Sequence, residues 1–175
     1  EGKIKAIRRC REKKIPFLGI CLGLQCAVIE FARNVLGIND ATSEEFDKKA
    51  ENKVVHYIAG QEAITKKSGT MRLGAYECDL KKDSLIAGLY KAKTITERHR
   101  HRYEVNGDYV DQYQEKGFYV TGRNPDTGLV EMMELDEKAH PYFVGTQAHP
   151  EFKSRLGKPA PLFDGLVRAA VKKSQ

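Results

Sequence analysis

The sequence predicts an α/β fold with a mostly parallel central sheet flanked by helices. The first 35 residues read as helix, buried strand, tight turn and helix, which is the element order of this class. The strand in that series is apolar throughout, as is typical of parallel strands covered on both faces. The 175 residues fit a single domain.

The N-terminal elements follow from their periodicity. Residues 1–13 are predicted as a helix because Ile4 and Ile7 recur at helical spacing between basic residues. Residues 15–20, IPFLGI, form the buried strand, and residues 22–35 return to a helical pattern. The later elements are assigned in the same way. We predict a loop at 39–53, strands at 54–59 and 70–80, a flexible connection at 60–69, helices at 83–90, 107–117 and 160–173, a strand opening 94–106, a hairpin at 118–135 and a further apolar run at 142–149.

Composition and charge argue against several classes of protein. No apolar run approaches the length of a membrane span, and no segment resembles a signal peptide, so we expect a cytoplasmic protein that does not bind membranes. The net charge is +6, but basic and acidic residues alternate along the chain, which favours a solvated surface over a nucleic-acid interface. No two cysteines have Cys-x-x-Cys spacing, and Cys10, Cys26 and Cys78 are interpreted as structural free thiols.

Cys21 lies in the motif Gly19-Ile20-Cys21-Leu22-Gly23, between the buried strand and the next helix. This is the thiol version of the nucleophile elbow, where small neighbours permit a sharp turn. We expect the helix N-terminus to lower the pKa of the thiol and to stabilise an oxyanion. A buried structural cysteine is the alternative interpretation.

A cysteine nucleophile requires a base and a group that orients the base. His149 follows an apolar run, and Glu151 lies two residues later in His-Pro-Glu, where its carboxylate can reach the imidazole. In RHRHRY, residues 98–103, the arginines of a strand would share one face and the histidines the other. This segment is compatible with a metal site, with contact to nucleic acid and with an arginine that binds a substrate carboxylate. The planar guanidinium favours the last of these.

Together these motifs resemble class I glutamine amidotransferases of the Cys-His-Glu type. The segments CLGLQCAVIEFARNVLG, ATSEEF, SGTMRLG, ERHRHRYEVN and HPEFKSRLGKPAPLFDGLVRAA are similar, in order and over nearly the whole chain, to the glutaminase domains of CTP synthases. The resemblance implies a flavodoxin-like architecture and hydrolysis of L-glutamine through a thioester on Cys21. His149 would act as the acid and base, Glu151 would orient it, and the Leu22 N–H would bind the oxyanion.

The resemblance also implies the residues of a glutamine site, with no metal. They would be Leu22, Gly23, Leu24, Gln25, Glu45 for the α-amino group and Arg102 for the carboxylate. It implies no cofactor in this domain. A synthase domain of the same polypeptide, outside this chain, would use ATP, Mg²⁺ and UTP, with GTP as an allosteric activator and a tetramer as the full-length assembly.

Three departures from the family pattern qualify these expectations. The chain opens at EGKIKAI, so we expect it to lack the N-terminal strands and the Gly-rich loop that supplies the second oxyanion donor. We also expect the synthase domain to lie outside this chain. Ala148 replaces an aromatic residue, which would loosen the pocket wall. A stand-alone γ-glutamyl thiol hydrolase and a catalytically silent regulatory domain are the alternatives.

Overall fold

The computed structural model describes residues 1–57 and 71–175. Helices in these ranges are Gly2–Glu12 (α1), Leu22–Asn34 (α2), Leu85–Tyr90 (α3), Val110–Glu115 (α4) and Pro161–Ser174 (α5). Strands there are Phe17–Ile20 (β1), Thr42–Ser43 (β2), Lys53–Tyr57 (β3), Arg72–Leu80 (β4), Thr94–His101 (β5), Tyr103–Val105 (β6), Phe118–Arg123 (β7), Val130–Leu135 (β8) and Phe143–Thr146 (β9). None of these helices is long and apolar enough to cross a bilayer.

The strands form two sheets. The larger has the order β1-β9-β8-β7-β4-β5 and the smaller has the order β2-β3-β6. The α/β class is confirmed, but the expectation of a mostly parallel sheet is wrong for the described strands. In the larger sheet only β1 and β9 pair in parallel, and the other four pairings are antiparallel. A short turn joins β7 to β8, and such a connection permits only antiparallel pairing.

Helices cover both faces of the larger sheet. The residues of β8 and β9 alternate between two core clusters, as strand geometry requires. Met133 and Phe143 pack in the cluster that contains α1, α2 and α4. Met132 and Val144 pack in the cluster that contains α3 and α5. This three-layer arrangement leaves the strand ends free to carry polar side chains.

The predicted elements agree with the structure except in the middle of the chain. The predicted loop at 39–53 contains the short strand β2. The predicted strand at 54–59 is observed as β3, and its last two residues lie outside the described ranges, as does the predicted connection at 60–69. The helix predicted at 83–90 is observed as α3, and it begins at Leu85 because Ser84 caps it, with the Ala87 N–H donating to Ser84 Oγ (3.1 Å).

Candidate active site

Cys21 occupies a strained turn between β1 and α2. Its φ is 51° and its ψ is −104°, a backbone conformation that non-glycine residues rarely adopt. Its N–H donates to the carbonyl of Thr146 at the end of β9 (2.7 Å), which fixes the turn against the neighbouring strand. The turn therefore has the geometry of the predicted nucleophile elbow.

The two glycines of the motif have different surroundings. A Cβ on Gly19 would lie 2.7 Å from the backbone carbon of Gly23, so a larger residue there would displace the helix. A Cβ on Gly23 would meet no atom of the described residues within 4 Å. A small residue is therefore required at Gly19, as expected, but not at Gly23, which faces open space.

A cavity of about 240 Å³ opens beside the cysteine. It is lined by Cys21, Leu22, Gln25, Glu45, Met71, Arg100, His101, Arg102 and Tyr103. Its volume lies just below that of sites for drug-sized ligands, which suits a smaller molecule such as an amino acid. The cavity thus brings together the predicted nucleophile and four of the six predicted glutamine-binding residues.

The other predicted residues lie outside this lining. Leu24 does not line the cavity, because its side chain is fully buried in the core. Gly23 is also absent from the lining. Ala148 is buried and not part of the wall, so the expected loosening of the pocket has no basis here.

His149 and Glu151 form the predicted pair. The Nδ1 of His149 lies 2.6 Å from Glu151 Oε1, and the ring stacks on Phe152 with centroids 5.1 Å apart. Because an ionised carboxylate only accepts, this contact places a proton on Nδ1 and leaves Nε2 as the nitrogen that faces away from Glu151. Nε2 is buried and has no hydrogen-bond partner among the described residues.

The surroundings of the Cys21 sulfur act in opposite directions on its acidity. Burial raises the pKa of the thiol, and the N–H of Leu22 lowers it. The nearby carboxylates, Glu104 first, raise the pKa further, and the net shift is upward. The expected lowering by the helix N-terminus is therefore present but is outweighed by burial.

A buried ionic network lies behind the cavity wall. Arg72 contacts Glu104 Oε1 at 2.9 Å and Glu131 Oε1 at 2.8 Å. The Nδ1 of His99 lies 2.9 Å from Nε2 of His101. Burial lowers the pKa of both histidines to about 3 and raises that of Glu104 to about 8. The histidines are therefore neutral near pH 7.

The RHRHRY segment follows the predicted alternation. In β5, Arg98 and Arg100 are exposed while His99 and His101 are buried. The two histidines bond to each other, and no group of three potential metal ligands occurs in residues 1–57 and 71–175. Arg102 follows the strand, is exposed and faces the cavity.

Sequence analysis did not identify five contributors to the site. Met71, Arg100, His101 and Tyr103 line the cavity, and Gln147 donates a hydrogen bond from Nε2 to Cys21 Sγ (3.6 Å). Strand alternation gave no signal for Arg100 and His101 together, because it places them on opposite faces of β5. Gln147 had only one signal, its position directly after the end of an apolar run.

Comparisons with known proteins agree with this geometry. A family model described as "Glutamine amidotransferase class-I" matches residues 1–169. The chain is 55% identical to a CTP synthase of Methanococcus maripaludis, over 99% of this chain and 32% of the relative. It is 53% identical to a CTP synthase of Flavobacterium johnsoniae, over 98% of this chain and 32% of the relative. The chain thus spans about a third of the length of these curated relatives.

A solved structure is similar over nearly the whole chain. It is the CTPS glutaminase domain of Trypanosoma brucei, solved with bound acivicin. The match has a TM-score of 0.88 and 38% sequence identity, and it covers 98% of this chain and 66% of the other. The resemblance expected from the sequence motifs is confirmed.

Proposed function

Because the chain belongs to the class-I glutamine amidotransferase family, we propose that it hydrolyses L-glutamine as the glutaminase part of a CTP synthase. The observation that carries the proposal is the strained Cys21, which opens into a cavity lined by Glu45 and Arg102. A carboxylate and a guanidinium suit the ammonium and carboxylate groups of a free amino acid. The relatives named CTP synthase and the acivicin-bound glutaminase domain support this assignment.

The first half of the reaction forms a thioester. The Cys21 thiol gives its proton to Nε2 of His149, and the resulting thiolate attacks the side-chain carbonyl carbon of glutamine, which forms a C–S bond and places negative charge on the oxygen. The N–H of Leu22, at the start of α2, can donate to that oxyanion. The C–N bond then breaks, and His149 gives a proton from Nε2 to the departing ammonia.

The second half hydrolyses the thioester. His149 takes a proton from water through Nε2, and the water oxygen attacks the thioester carbon. The C–S bond breaks, which releases glutamate, and the Cys21 thiolate takes the proton back from Nε2 of His149. Glu151 accepts a hydrogen bond from the Nδ1 N–H throughout, so it directs proton exchange to Nε2 and stabilises the imidazolium.

The experiment that tests this role is the variant Cys21→Ala in the full polypeptide in which the chain occurs. We expect it to abolish ammonia release from glutamine and glutamine-dependent CTP formation. CTP formation from added ammonia should continue, because that reaction bypasses the thioester. Cys10→Ala is the matched control, since Cys10 is also a partly buried free cysteine, and it should retain both activities.

Two results would contradict the proposal. Glutamine-dependent activity that survives in Cys21→Ala would exclude Cys21 as the nucleophile. Turnover of γ-glutamyl peptides in place of glutamine would favour a stand-alone thiol hydrolase.

The proposal extends to the whole protein, because the curated relatives are about three times as long as this chain. Ammonia would pass to a synthase domain that uses ATP, Mg²⁺ and UTP, with GTP as the activator. A tetrameric assembly and a cytoplasmic location complete this proposal. Within it, residues 1–175 supply the glutaminase domain.

A further inference from the structure

Two buried glutamines connect the Cys21 sulfur to the backbone of β6. The Nε2 of Gln25 donates to the carbonyl oxygen of Tyr103 (2.9 Å) and to Oε1 of Gln147 (3.2 Å). The Nε2 of Gln147 donates in turn to Cys21 Sγ (3.6 Å). Gln25 is 3% exposed and Gln147 is fully buried, so water does not compete for these contacts.

The direction of this chain follows from counting donors. A backbone carbonyl only accepts, so the nitrogen of Gln25 must face Tyr103. The second N–H of that nitrogen reaches Gln147, which must therefore present its oxygen. The amide nitrogen of Gln147 is then the atom that faces the sulfur. The orientation of Gln147 thus depends on Gln25.

The Tyr103 carbonyl is itself held by a second donor. The Nδ1 of His101 lies 3.2 Å from it, so His101 carries its proton on Nδ1. Nε2 of His101 then accepts from Nδ1 of His99 at 2.9 Å. His101 and His99 of β5 therefore hold the Tyr103 carbonyl that accepts the hydrogen bond from Gln25.

We propose that Gln147 is a catalytic residue whose amide donates to the Cys21 thiolate, and that Gln25 is a positioning residue that directs this amide. A neutral thiol accepts hydrogen bonds weakly, whereas a thiolate accepts them well, so the donor favours the charged form. It acts together with the Leu22 N–H against the burial that disfavours the thiolate. The catalytic role of Gln147 rests on the proposed glutaminase function, but its hydrogen bond to Cys21 does not.

The test is the pH dependence of Cys21 alkylation by iodoacetamide in the full polypeptide, resolved by peptide mass spectrometry. Gln147→Leu removes the donor, and we expect the apparent pKa of Cys21 to rise by about one unit or more. Gln147→Glu keeps the shape but places a carboxylate near the sulfur, so its shift should be larger. Gln112→Leu, at an exposed glutamine of α4, is the matched control and should leave the pKa unchanged. An unchanged Cys21 pKa in both Gln147 variants would overturn the proposal.

A double-mutant comparison tests the positioning role. Gln25→Leu should raise the apparent pKa of Cys21 when Gln147 is present and have no further effect in Gln147→Leu. Shifts that add in the double variant would refute a role of Gln25 through Gln147. If Gln147→Leu does not fold, the same comparison is made with Gln147→Glu.

Alkylation requires no glutamine, so this test is separate from that of the proposed function. A wild-type protein that does not hydrolyse glutamine would overturn the proposed function, while its alkylation profile would still decide whether Gln147 stabilises the thiolate. If both hold, the fall in thiolate fraction predicts a roughly tenfold lower rate of glutamine hydrolysis near pH 7 for each unit of pKa increase.

Discussion

Arg72→Met should strongly destabilise the domain. The guanidinium of Arg72 contacts Glu104 and Glu131, whose side chains are 0% and 1% exposed. Removing one partner of a buried ion pair costs about 3–5 kcal/mol, because the other charge stays buried without compensation. Two carboxylates lose their partner here, so we expect the upper part of that range at pH 8. With a urea m-value of about 2 kcal/mol/M, the unfolding midpoint should fall by about 2 M.

The loss of unfolding free energy in Arg72→Met should depend on pH. Arg72 lowers the pKa values of both carboxyls, so its removal raises them above their already elevated values. Between the ordinary and the raised pKa, the folded state binds more protons than the unfolded state, and stability falls as pH rises. The difference between wild type and Arg72→Met should therefore be smaller at pH 5 than at pH 8.

A surface pair provides the matched control. Arg8 and Glu12 lie one turn apart on α1 with side chains 54% and 44% exposed, so Arg8→Met should cost less than about 1 kcal/mol. Urea unfolding of both variants at pH 5 and pH 8 gives the comparison. A loss for Arg72→Met below about 1 kcal/mol at pH 8, or a loss that is larger at pH 5, would show that Glu104 and Glu131 do not depend on Arg72 for compensation of their charge.

Three further predictions follow from the site. Gly19→Ala should lower the free energy of unfolding by about 1–3 kcal/mol, because the new Cβ would lie 2.7 Å from the backbone of Gly23. Gly23→Ala should not destabilise the fold, because a Cβ there meets no described atom within 4 Å. Equal losses for the two variants in thermal or urea unfolding would contradict this difference. Glu151→Gln should lower the rate constant for glutamine hydrolysis by about a hundredfold with little change in stability, since the side chain is 42% exposed; an unchanged rate would exclude an orienting role. His99 and His101, with pKa values of about 3, should remain neutral at pH 5 in histidine NMR spectra. The stability that depends on their neutral forms should be lost as pH falls from about 6.5 toward 3, because the unfolded state binds protons first. Protonation of either histidine at pH 5 would contradict this prediction.

The elements that depend on local pattern could be predicted from the sequence. The elbow at Cys21, the His149–Glu151 pair and the alternation of β5 all follow from spacing within a few residues. Contacts between distant segments could not be predicted. Glu131 lies on β8, 32 positions beyond the histidine it approaches, and Gln147 lies 126 positions from Cys21. The balance between burial and the helix N-terminus at Cys21 also required the folded structure.

The elbow itself depends on two strands. Gly19 and Gly145 are register partners in the parallel pair of β1 and β9. A Cβ on Gly145 would lie 2.5 Å from Leu24 Cδ1, and a Cβ on Gly19 would also meet the first turn of α2. Both glycines therefore allow α2 to pack directly on the sheet. This packing helps to offset the strain at Cys21, which is on the order of 1–3 kcal/mol.

The same parallel pair explains why Cys21, Gln147 and His149 lie at one edge of the sheet. The carboxyl ends of parallel neighbours meet at one edge of a sheet. Cys21 follows β1 directly, while Gln147 and His149 follow β9 by one and three residues. An antiparallel pairing of these strands would have placed the sulfur and the imidazole at opposite edges. Although most of the described sheet is antiparallel, the pairing of β1 with β9 is parallel, and it is the pairing that places Cys21, Gln147 and His149 at the same edge.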